Sequence, residues 1–179
     1  MRLTLKPHPD TPCEAVRAIA VEVARERDGW LKAVYRLEGD IDAILWPELS
    51  EARRVDGLWQ HTCFEAFVGP VGVPGYLEMN MSPGLEWAMY SFTGYRAGMT
   101  PTGDAAFGIS CHRGEAAFDL SAEIAVGDLS PAVAWRLGLS AVIELKDGSK
   151  SYWALAHAPG PPDFHHPDAF AAILPPESP

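Results

Sequence analysis

The chain has 179 residues and a formal net charge of -10 at pH 7. A chain of this length can bury roughly 70% of its unfolded surface, so one domain can fold without disulfides or metals. Its composition is 47% hydrophobic and 21% charged, which is typical of a globular protein rather than a disordered one. The negative charge disfavours nucleic acid and anionic membrane surfaces as partners, because both would repel it.

The three cysteines and the first residues of the chain indicate the cellular compartment of the protein. Cys13, Cys63 and Cys111 form no CxxC motif, so we expect free thiols, with Cys63 buried in an apolar strand. The opening residues lack the apolar run of a secretory signal, and no stretch is apolar for the length of a membrane span. We therefore expect a cytoplasmic protein with no membrane partner.

Taken in order, the chain predicts short strands separated by turns. A period of two with β-branched residues begins at Val16, and the Asp28-Gly29 turn favours a hairpin over a helix for residues 14–27. One short helical turn is expected over residues 48–54. Candidate strands are residues 2–6, 16–25, 30–38, 44–46, 63–68, 76–81, 86–92, 106–111, 116–125, 135–145, 151–157 and 171–174.

About ten of these candidates are expected to form antiparallel sheets, because no sustained helical stripe interrupts them. The prediction is an all-β fold, either a β-sandwich or a jelly roll. It forms one domain over residues 1–179, with its core at about 14–174 and a frayed C-terminal tail at 175–179. Residues 93–103 are expected to be irregular.

The central stretch, residues 58–92, carries most of the candidate site. Its glycine-rich segment at 69–75 lies between two strands, which predicts a hairpin loop rather than a phosphate-binding loop. Leu77, Met79 and Met81 alternate with Glu78 and Asn80. The apolar residues are therefore expected in the core, and the polar pair faces either water or a concave site.

Trp59 and Glu65 lie six residues apart in the same stretch. An indole ring beside a carboxylate suits a sugar, because the ring packs on the apolar face of a pyranose and the carboxylate orients hydroxyl groups. The alternative is that Trp59 is half-buried core and Glu65 a solvated outward position. His61 is a further polar residue at this place in the chain.

Catalytic and metal sites receive weaker support. Glu65, Glu78, Glu86 and Glu123 raise the question of an acid–base pair, but the chain alone shows no pairing of carboxylates. The adjacent pair His165-His166 would need distant partners to hold a metal, so ordering of its loop is favoured. Haem ligated by Met79 or Met81 and a histidine of the tail is a further alternative, although no CxxCH motif is present.

The order of motifs resembles the DOMON-like superfamily, which includes family-9 carbohydrate-binding modules and cytochrome-type haem domains. The motifs are LW at 58–59, FEAFV at 64–68, YLEMNMSPG at 76–84 and a tryptophan-bearing strand. The closing PDFHHPDAF at 162–170 is similar to a small bacterial group of that superfamily, whose role is unassigned.

The resemblance implies a β-sandwich with a ligand site on a concave sheet face or at the loop end. In the carbohydrate modules two aromatic rings clasp a terminal sugar, and Trp59 and Glu65 match the first ring and the strand carboxylate. The resemblance leaves the second ring to Trp153 or Phe164, and it suggests Arg96 as the cation that binds hydroxyl groups. Those modules are normally part of secreted enzymes, whereas no signal is predicted here.

We therefore predict a non-enzymatic protein that binds a saccharide or another small polar ligand. No metal, cofactor or catalytic residue is expected. The alternatives are a haem module and a protein-interaction module, and the oligomeric state is left open. The predicted ligand-binding residues are Trp59, His61, Glu65, Glu78, Asn80, Arg96, Trp153 and His165.

Overall fold

The computed structural model is an antiparallel all-β fold, and it describes residues 1–26, 29–102, 106–127, 129–130 and 132–176. Short 3-10 turns lie at Ile41–Ala43, Leu58–Gln60 and Pro167–Ala169. The strands of the described residues are β1 (Arg2–Pro7), β2 (Val16–Glu26), β3 (Trp30–Gly39), β4 (Cys63–Pro70), β5 (Tyr76–Met81), β6 (Trp87–Phe92), β7 (Thr100–Pro101), β8 (Phe107–Arg113), β9 (Ala117–Ala125), β10 (Trp135–Glu144), β11 (Lys150–Ala154) and β12 (Ala172–Leu174).

The strands form two sheets joined at β1. The first sheet has the order β1-β2-β3-β9-β8, and the second has the order β7-β6-β5-β4-β10-β11, with β12 also paired to β10. Residues Arg2 to Leu5 of β1 pair with β2, whereas Lys6 and Pro7 pair with β11. One strand therefore passes from the first sheet to the second and closes one side of the sandwich.

Apolar side chains from both sheets fill the space between them. Phe64 of β4 stacks on Phe118 of β9 with ring centroids 5.8 Å apart, and Tyr35 of β3 lies 5.2 Å from Phe64. Strand alternation supplies one such side chain at every second position, as the sequence predicts for Leu77, Met79 and Met81. Each fully buried large side chain contributes about 1.5–3 kcal/mol to the free energy of unfolding.

The second sheet is also covered on its outer face. Residues Cys63 to Gly69 of β4 are all buried, which an exposed sheet face would not allow. A smaller apolar cluster lies there, built on Phe67, Tyr76 and Tyr90 and capped by Leu58 and Phe164. The segments before β4 and after β11 therefore pack on this face, and polar residues of β4 and β5 are enclosed beneath them.

Most predicted strands are confirmed, and β5 has the predicted bounds. The predicted strand at 44–46 is reduced to a single bridge between Ile44 and Leu145. The helical turn predicted at 48–54 is wrong, because this segment hydrogen-bonds to residues 84–87 instead of to itself. The short β7 was not predicted. Asp28 and residues 177–179 lie outside the described residues.

The residues that the structure describes include no helix with the length and apolar character needed to cross a bilayer.

Candidate functional site

A cavity of about 350 Å³ opens on the outer face of the second sheet. Four strands supply its floor: Glu65 comes from β4, Glu78 from β5, Val142 from β10 and Tyr152 from β11. The end of β6, the 3-10 turn before β4, the loop after β6 and the C-terminal segment build its walls. The wall residues are Trp59, Phe92, Arg96, Met99, Pro162, Phe164 and His165.

Strand register brings the two floor carboxyl groups together. On the paired strands β4 and β5, Glu65 lies opposite Asn80 and Phe67 lies opposite Glu78. Glu65 and Glu78 are therefore diagonal neighbours on one face, at a typical separation of about 7–8 Å. Ser140 lies opposite Glu65 on the other flanking strand, β10. Backbone pairing alone thus fixes the positions of all three polar groups.

Glu65 is held in a protonated state at neutral pH. Its side chain is buried, with the residue only 2% exposed, and the Ser140 hydroxyl donates a 3.1 Å hydrogen bond to its Oε2. Burial, followed by the nearby charge of Glu78, raises the pKa of Glu65 to about 8 against the opposing effect of Ser140. A protonated carboxyl group both donates and accepts hydrogen bonds, so it can donate to the oxygen of a hydroxyl group or accept from its hydrogen.

Glu78 has a different set of partners. The Asn80 amide donates a 2.8 Å hydrogen bond to Oε1 of Glu78, and Nε2 of His165 lies 3.7 Å from Oε2. Burial raises the pKa of Glu78, while the Asn80 hydrogen bond and the charge of Arg96 act in the opposite direction. Asn80 is fully buried on the same face of β5 as Glu78, opposite Glu65, and does not itself line the cavity.

His165 is a neutral wall residue. The Nδ1 atom of its ring lies 2.8 Å from the Tyr76 hydroxyl, and the ring contacts Phe67 and Phe92 edge-on. Burial, and then the charge of Arg96, lower the pKa of His165 to about 4. The neutral ring has one N–H donor and one acceptor nitrogen: Nδ1 lies beside the Tyr76 hydroxyl and Nε2 faces Glu78.

Arg96, Tyr95 and Asp163 connect the two segments that border the cavity. The guanidinium of Arg96 binds the Asp163 carboxylate at 2.8 Å, and the Tyr95 hydroxyl donates to the same carboxylate at 2.5 Å. Burial raises the pKa of Asp163, but the hydrogen bonds from Tyr95 and Arg96 outweigh it and leave that pKa below its usual value. Arg96 itself adopts φ +50°, an uncommon conformation for a residue with a Cβ. These three residues are called the rim contact below.

Aromatic rings form the apolar part of the walls. Trp59 is 38% exposed, and its ring meets Tyr90 edge-on at a centroid distance of 5.9 Å. It sits on the 3-10 turn Leu58–Gln60, which begins after Gly57 at φ +82°, a conformation that glycine adopts without strain. Phe164, which the resemblance offered as a second ring, also lines the cavity.

Five of the eight predicted ligand-binding residues line this one cavity: Trp59, Glu65, Glu78, Arg96 and His165. Asn80 does not line the cavity, but its side-chain amide donates a hydrogen bond to Glu78. The sequence pattern did not single out Tyr152, Phe92 or Asp163. Strand alternation from the buried Trp153 would have pointed to Tyr152, because neighbouring residues of a strand face opposite sides.

Trp153 and His61 lie elsewhere. Trp153 is 3% exposed and belongs to the core between the sheets, on the face of β11 opposite to the cavity. His61 borders a neighbouring cavity of about 470 Å³, where its Nδ1 lies 2.7 Å from Oε2 of Glu144. The structure therefore separates both residues from the carboxyl pair.

The groups required by the haem alternative are dispersed as well. Met79 and Met81 point into the core between the sheets, whereas His165 lies on the outer face of the same sheet.

Of the four carboxyl groups considered for catalysis, Glu65 and Glu78 meet in the cavity, whereas Glu86 and Glu123 lie elsewhere. Glu123 belongs to β9 of the other sheet and pairs with Lys32 at 2.9 Å. Among the described residues, no group of three or more His, Cys, Asp and Glu side chains is arranged to hold a metal ion.

No family model matches this sequence, and no curated protein matches it. Two solved structures of a family-9 carbohydrate-binding module from Caldicellulosiruptor kristjanssonii, in complex with glucose and with cellotriose, match with TM-scores of 0.47. Each is 11% identical over 80% of this chain, and the matches cover 69% and 67% of those chains.

A putative carbohydrate-binding protein from Bacteroides uniformis has a more extensive structural match, with a TM-score of 0.64 at 14% identity. The match covers 94% of this chain and 83% of that one. The sequences are too distant to transfer an activity, but the match spans nearly the whole of this chain. This chain therefore has the β-sandwich fold of the Bacteroides protein.

Proposed function

We propose that this protein binds a saccharide in the cavity above Glu65 and Glu78, as a binding protein rather than an enzyme. The observation that carries the proposal is the pair of buried carboxyl groups on the floor of an open, aromatic-walled cavity. In the described ranges of the chain, each carboxyl group has one protein side chain as hydrogen-bond donor, Ser140 or Asn80, which leaves further hydrogen-bonding positions that need partners. A ligand with many hydroxyl groups supplies such partners.

The cavity offers the two kinds of contact that a pyranose needs. Trp59 and Phe164 present ring surfaces for the apolar C–H face of a sugar. The protonated Glu65 donates and accepts, Glu78 accepts, and the guanidinium of Arg96 donates. Donors and acceptors from three separate chain segments then surround one ligand, which favours a defined orientation.

The fold supports the same proposal. The solved structure with the TM-score of 0.64 is described as a putative carbohydrate-binding protein, and this chain shares its β-sandwich. The sequence motifs at 58–59, 64–68 and 76–84 lie in or beside the cavity floor, as the DOMON-like resemblance implies. Membership of that superfamily and a cytoplasmic location stay predictions.

A panel of neutral and amino monosaccharides and disaccharides tests the proposal by isothermal titration calorimetry and by quenching of tryptophan fluorescence. We expect at least one sugar to bind the wild-type protein. We expect Trp59→Ala to weaken this binding about tenfold or more, the loss that follows when an aromatic contact of about 1.4 kcal/mol is removed.

Trp30→Ala is the matched control, because Trp30 is a partly exposed tryptophan at the start of β3 on the other sheet. It is expected to keep the affinity of the wild-type protein. Failure of every sugar to bind, or equal losses in the two variants, would contradict the proposal. Release of product from aryl glycosides would contradict the non-enzymatic part of it.

A further inference from the structure

We infer that the preferred ligand carries a protonated amine, and that the class of ligand is an amino sugar whose ammonium group sits between Glu65 and Glu78. This inference rests on the proposed function and specifies the ligand of the same cavity. It follows from the charge of the floor, from the free acceptor positions on the two carboxyl groups and from the aromatic walls.

The cavity has an excess of acidic groups. Glu65 and Glu78 both line it, and Arg96 is the cation beside them. The guanidinium of Arg96 is paired with the Asp163 carboxylate at 2.8 Å, so Arg96 and Asp163 together add no net charge to the two floor carboxyl groups. His165 is neutral at physiological pH, because burial lowers its pKa to about 4. An ammonium group would restore the balance of charge.

Each carboxyl group also retains an oxygen for a ligand. Within the described part of the chain, Ser140 is the hydrogen-bond donor to the carboxyl group of Glu65, and it donates to Oε2. Asn80 uses Oε1 of Glu78, while Oε2 of that group has only the His165 nitrogen at 3.7 Å. Glu65 lines the cavity, and its other oxygen is available to a ligand: it accepts from an ammonium group once the carboxyl group loses its proton.

The walls suit an ammonium group better than a metal ion. A calcium ion needs about six to eight oxygen ligands, whereas an ammonium group needs only one acceptor for each of its three N–H donors. Two carboxyl groups and one further acceptor provide hydrogen-bond partners for the three N–H donors of the ammonium group. Aromatic faces such as those of Trp59 and Phe164 attract a cation through their quadrupoles. The floor and walls thus favour an organic cation that carries a sugar-like polar frame.

Three ligands of nearly equal shape test the inference by calorimetry just below neutral pH: glucosamine, glucose and N-acetylglucosamine. Glucosamine carries the charge, and the other two lack it. We expect glucosamine to bind about tenfold more tightly than either neutral sugar, because a charge-assisted hydrogen bond is worth about 1.4 kcal/mol more here. Glu65→Gln and Glu78→Gln should each reduce that preference to about threefold or less, a difference of about 0.6 kcal/mol.

Binding of the ammonium group is also expected to release a proton from Glu65, because a cation stabilises the ionised carboxylate. Repeating the titration in buffers of different ionisation enthalpy measures this release, which neutral sugars should not show. The other titratable or charged groups around Glu65 are Glu78 on β5, Cys63 on its own strand, Tyr35 on β3, Arg96 on the loop after β6 and His165 on the C-terminal segment.

Glu144→Gln is the control variant, because Glu144 is a buried carboxyl group that borders the neighbouring cavity. It should keep the preference for the amine. Equal affinity for glucosamine and glucose would overturn the inference while leaving saccharide binding intact. If another sugar of the panel binds but glucosamine does not, the inference is overturned and saccharide binding stands. If no sugar of the panel binds, or if calcium binds in a way that Glu65→Gln abolishes without any sugar binding, both are overturned. The comparison of the three sugars needs only the wild-type protein, so it stands even if a variant fails to fold.

Discussion

The two faces of the second sheet are both buried, but they differ in chemistry. The inner face presents apolar side chains such as Phe64, Met79 and Trp153 to the first sheet. The outer face of the same strands presents Glu65 and Glu78, which are also nearly inaccessible. One strand therefore alternates between residues that burial stabilises and residues for which burial carries an energetic cost.

This difference separates stability from function within single strands. Apolar burial on the inner face explains why the sandwich holds together, and nothing about it requires a ligand. Buried carboxyl groups with raised pKa values weaken the folded state at neutral pH, so their position has a reason other than stability. Substitutions on the inner face should lower the free energy of unfolding. Substitutions on the outer face should change ligand binding and the pH dependence of stability.

The largest expected effect comes from the inner face. Phe64→Ala removes a ring that contacts Tyr35 and Phe118, and the cavity left behind should lower the free energy of unfolding by about 3–5 kcal/mol. Urea denaturation measures this loss. Phe164→Ala, at the rim of the outer cavity, should lose less stability and weaken sugar binding instead. Equal losses of stability in the two variants would remove the distinction between the faces.

A smaller effect is expected from Glu65→Gln, and it depends on pH. The pKa of Glu65 is about 8 in the folded protein and near 4.5 when the group is unperturbed, so between these values the folded protein holds a proton that the unfolded chain has lost. Below about pH 6.5 the lowered pKa of His165 has the opposite effect on stability, so the window that isolates Glu65 from His165 lies between about pH 6.5 and 8. Stability should fall as pH rises through this window, by about 1.4 kcal/mol per pH unit at most for one proton. Glu65→Gln should flatten the fall, leaving the part that comes from Glu78.

Denaturation curves across the window measure this slope. The exposed carboxylate Glu123 of the first sheet provides the control, and Glu123→Gln should retain the slope of the wild-type protein. A wild-type protein whose stability rises over the same window would show that Glu65 is ionised in the folded state.

The smallest expected effect concerns the rim contact. Asp163→Asn weakens the bonds from Arg96 and Tyr95, so it should lower the free energy of unfolding by only about 1 kcal/mol. Hydrogen exchange should quicken in both joined segments, residues 93–99 and 158–166. Asp168→Asn, an exposed position near His166, is the control and should leave exchange in residues 93–99 unchanged. Faster exchange in one segment alone would contradict a contact that joins them.

The sequence predicted most of the strands because alternation is a local property. It also placed Glu78 and Asn80 on the face opposite Met79 and Met81, as observed. It did not decide between water and a concave site for that face. The answer depends on the segment around Phe164, which packs over β5 from the far end of the described chain.

Long-range contacts explain the remaining differences. The helical turn expected at 48–54 is replaced by pairing with residues 84–87, which composition cannot reveal. Trp153 was one of two candidates for the second aromatic ring that the resemblance implies. The register of β11 instead places Trp153 in the core and Tyr152 in the cavity. Asp163 was missed because its partners, Tyr95 and Arg96, lie on a distant loop.

The passage of β1 from one sheet to the other has a consequence for how the chain folds. Lys6 pairs with Ala154, so the two sheets cannot be joined along this side until nearly the whole described chain has been synthesised. Such distant pairing costs loop-closure entropy before the stabilising contacts form. Folds dominated by distant pairing, such as β-sandwiches, therefore fold over milliseconds to seconds. The hairpin of β2 and β3, whose pairing is local, is available much earlier to serve as a nucleus.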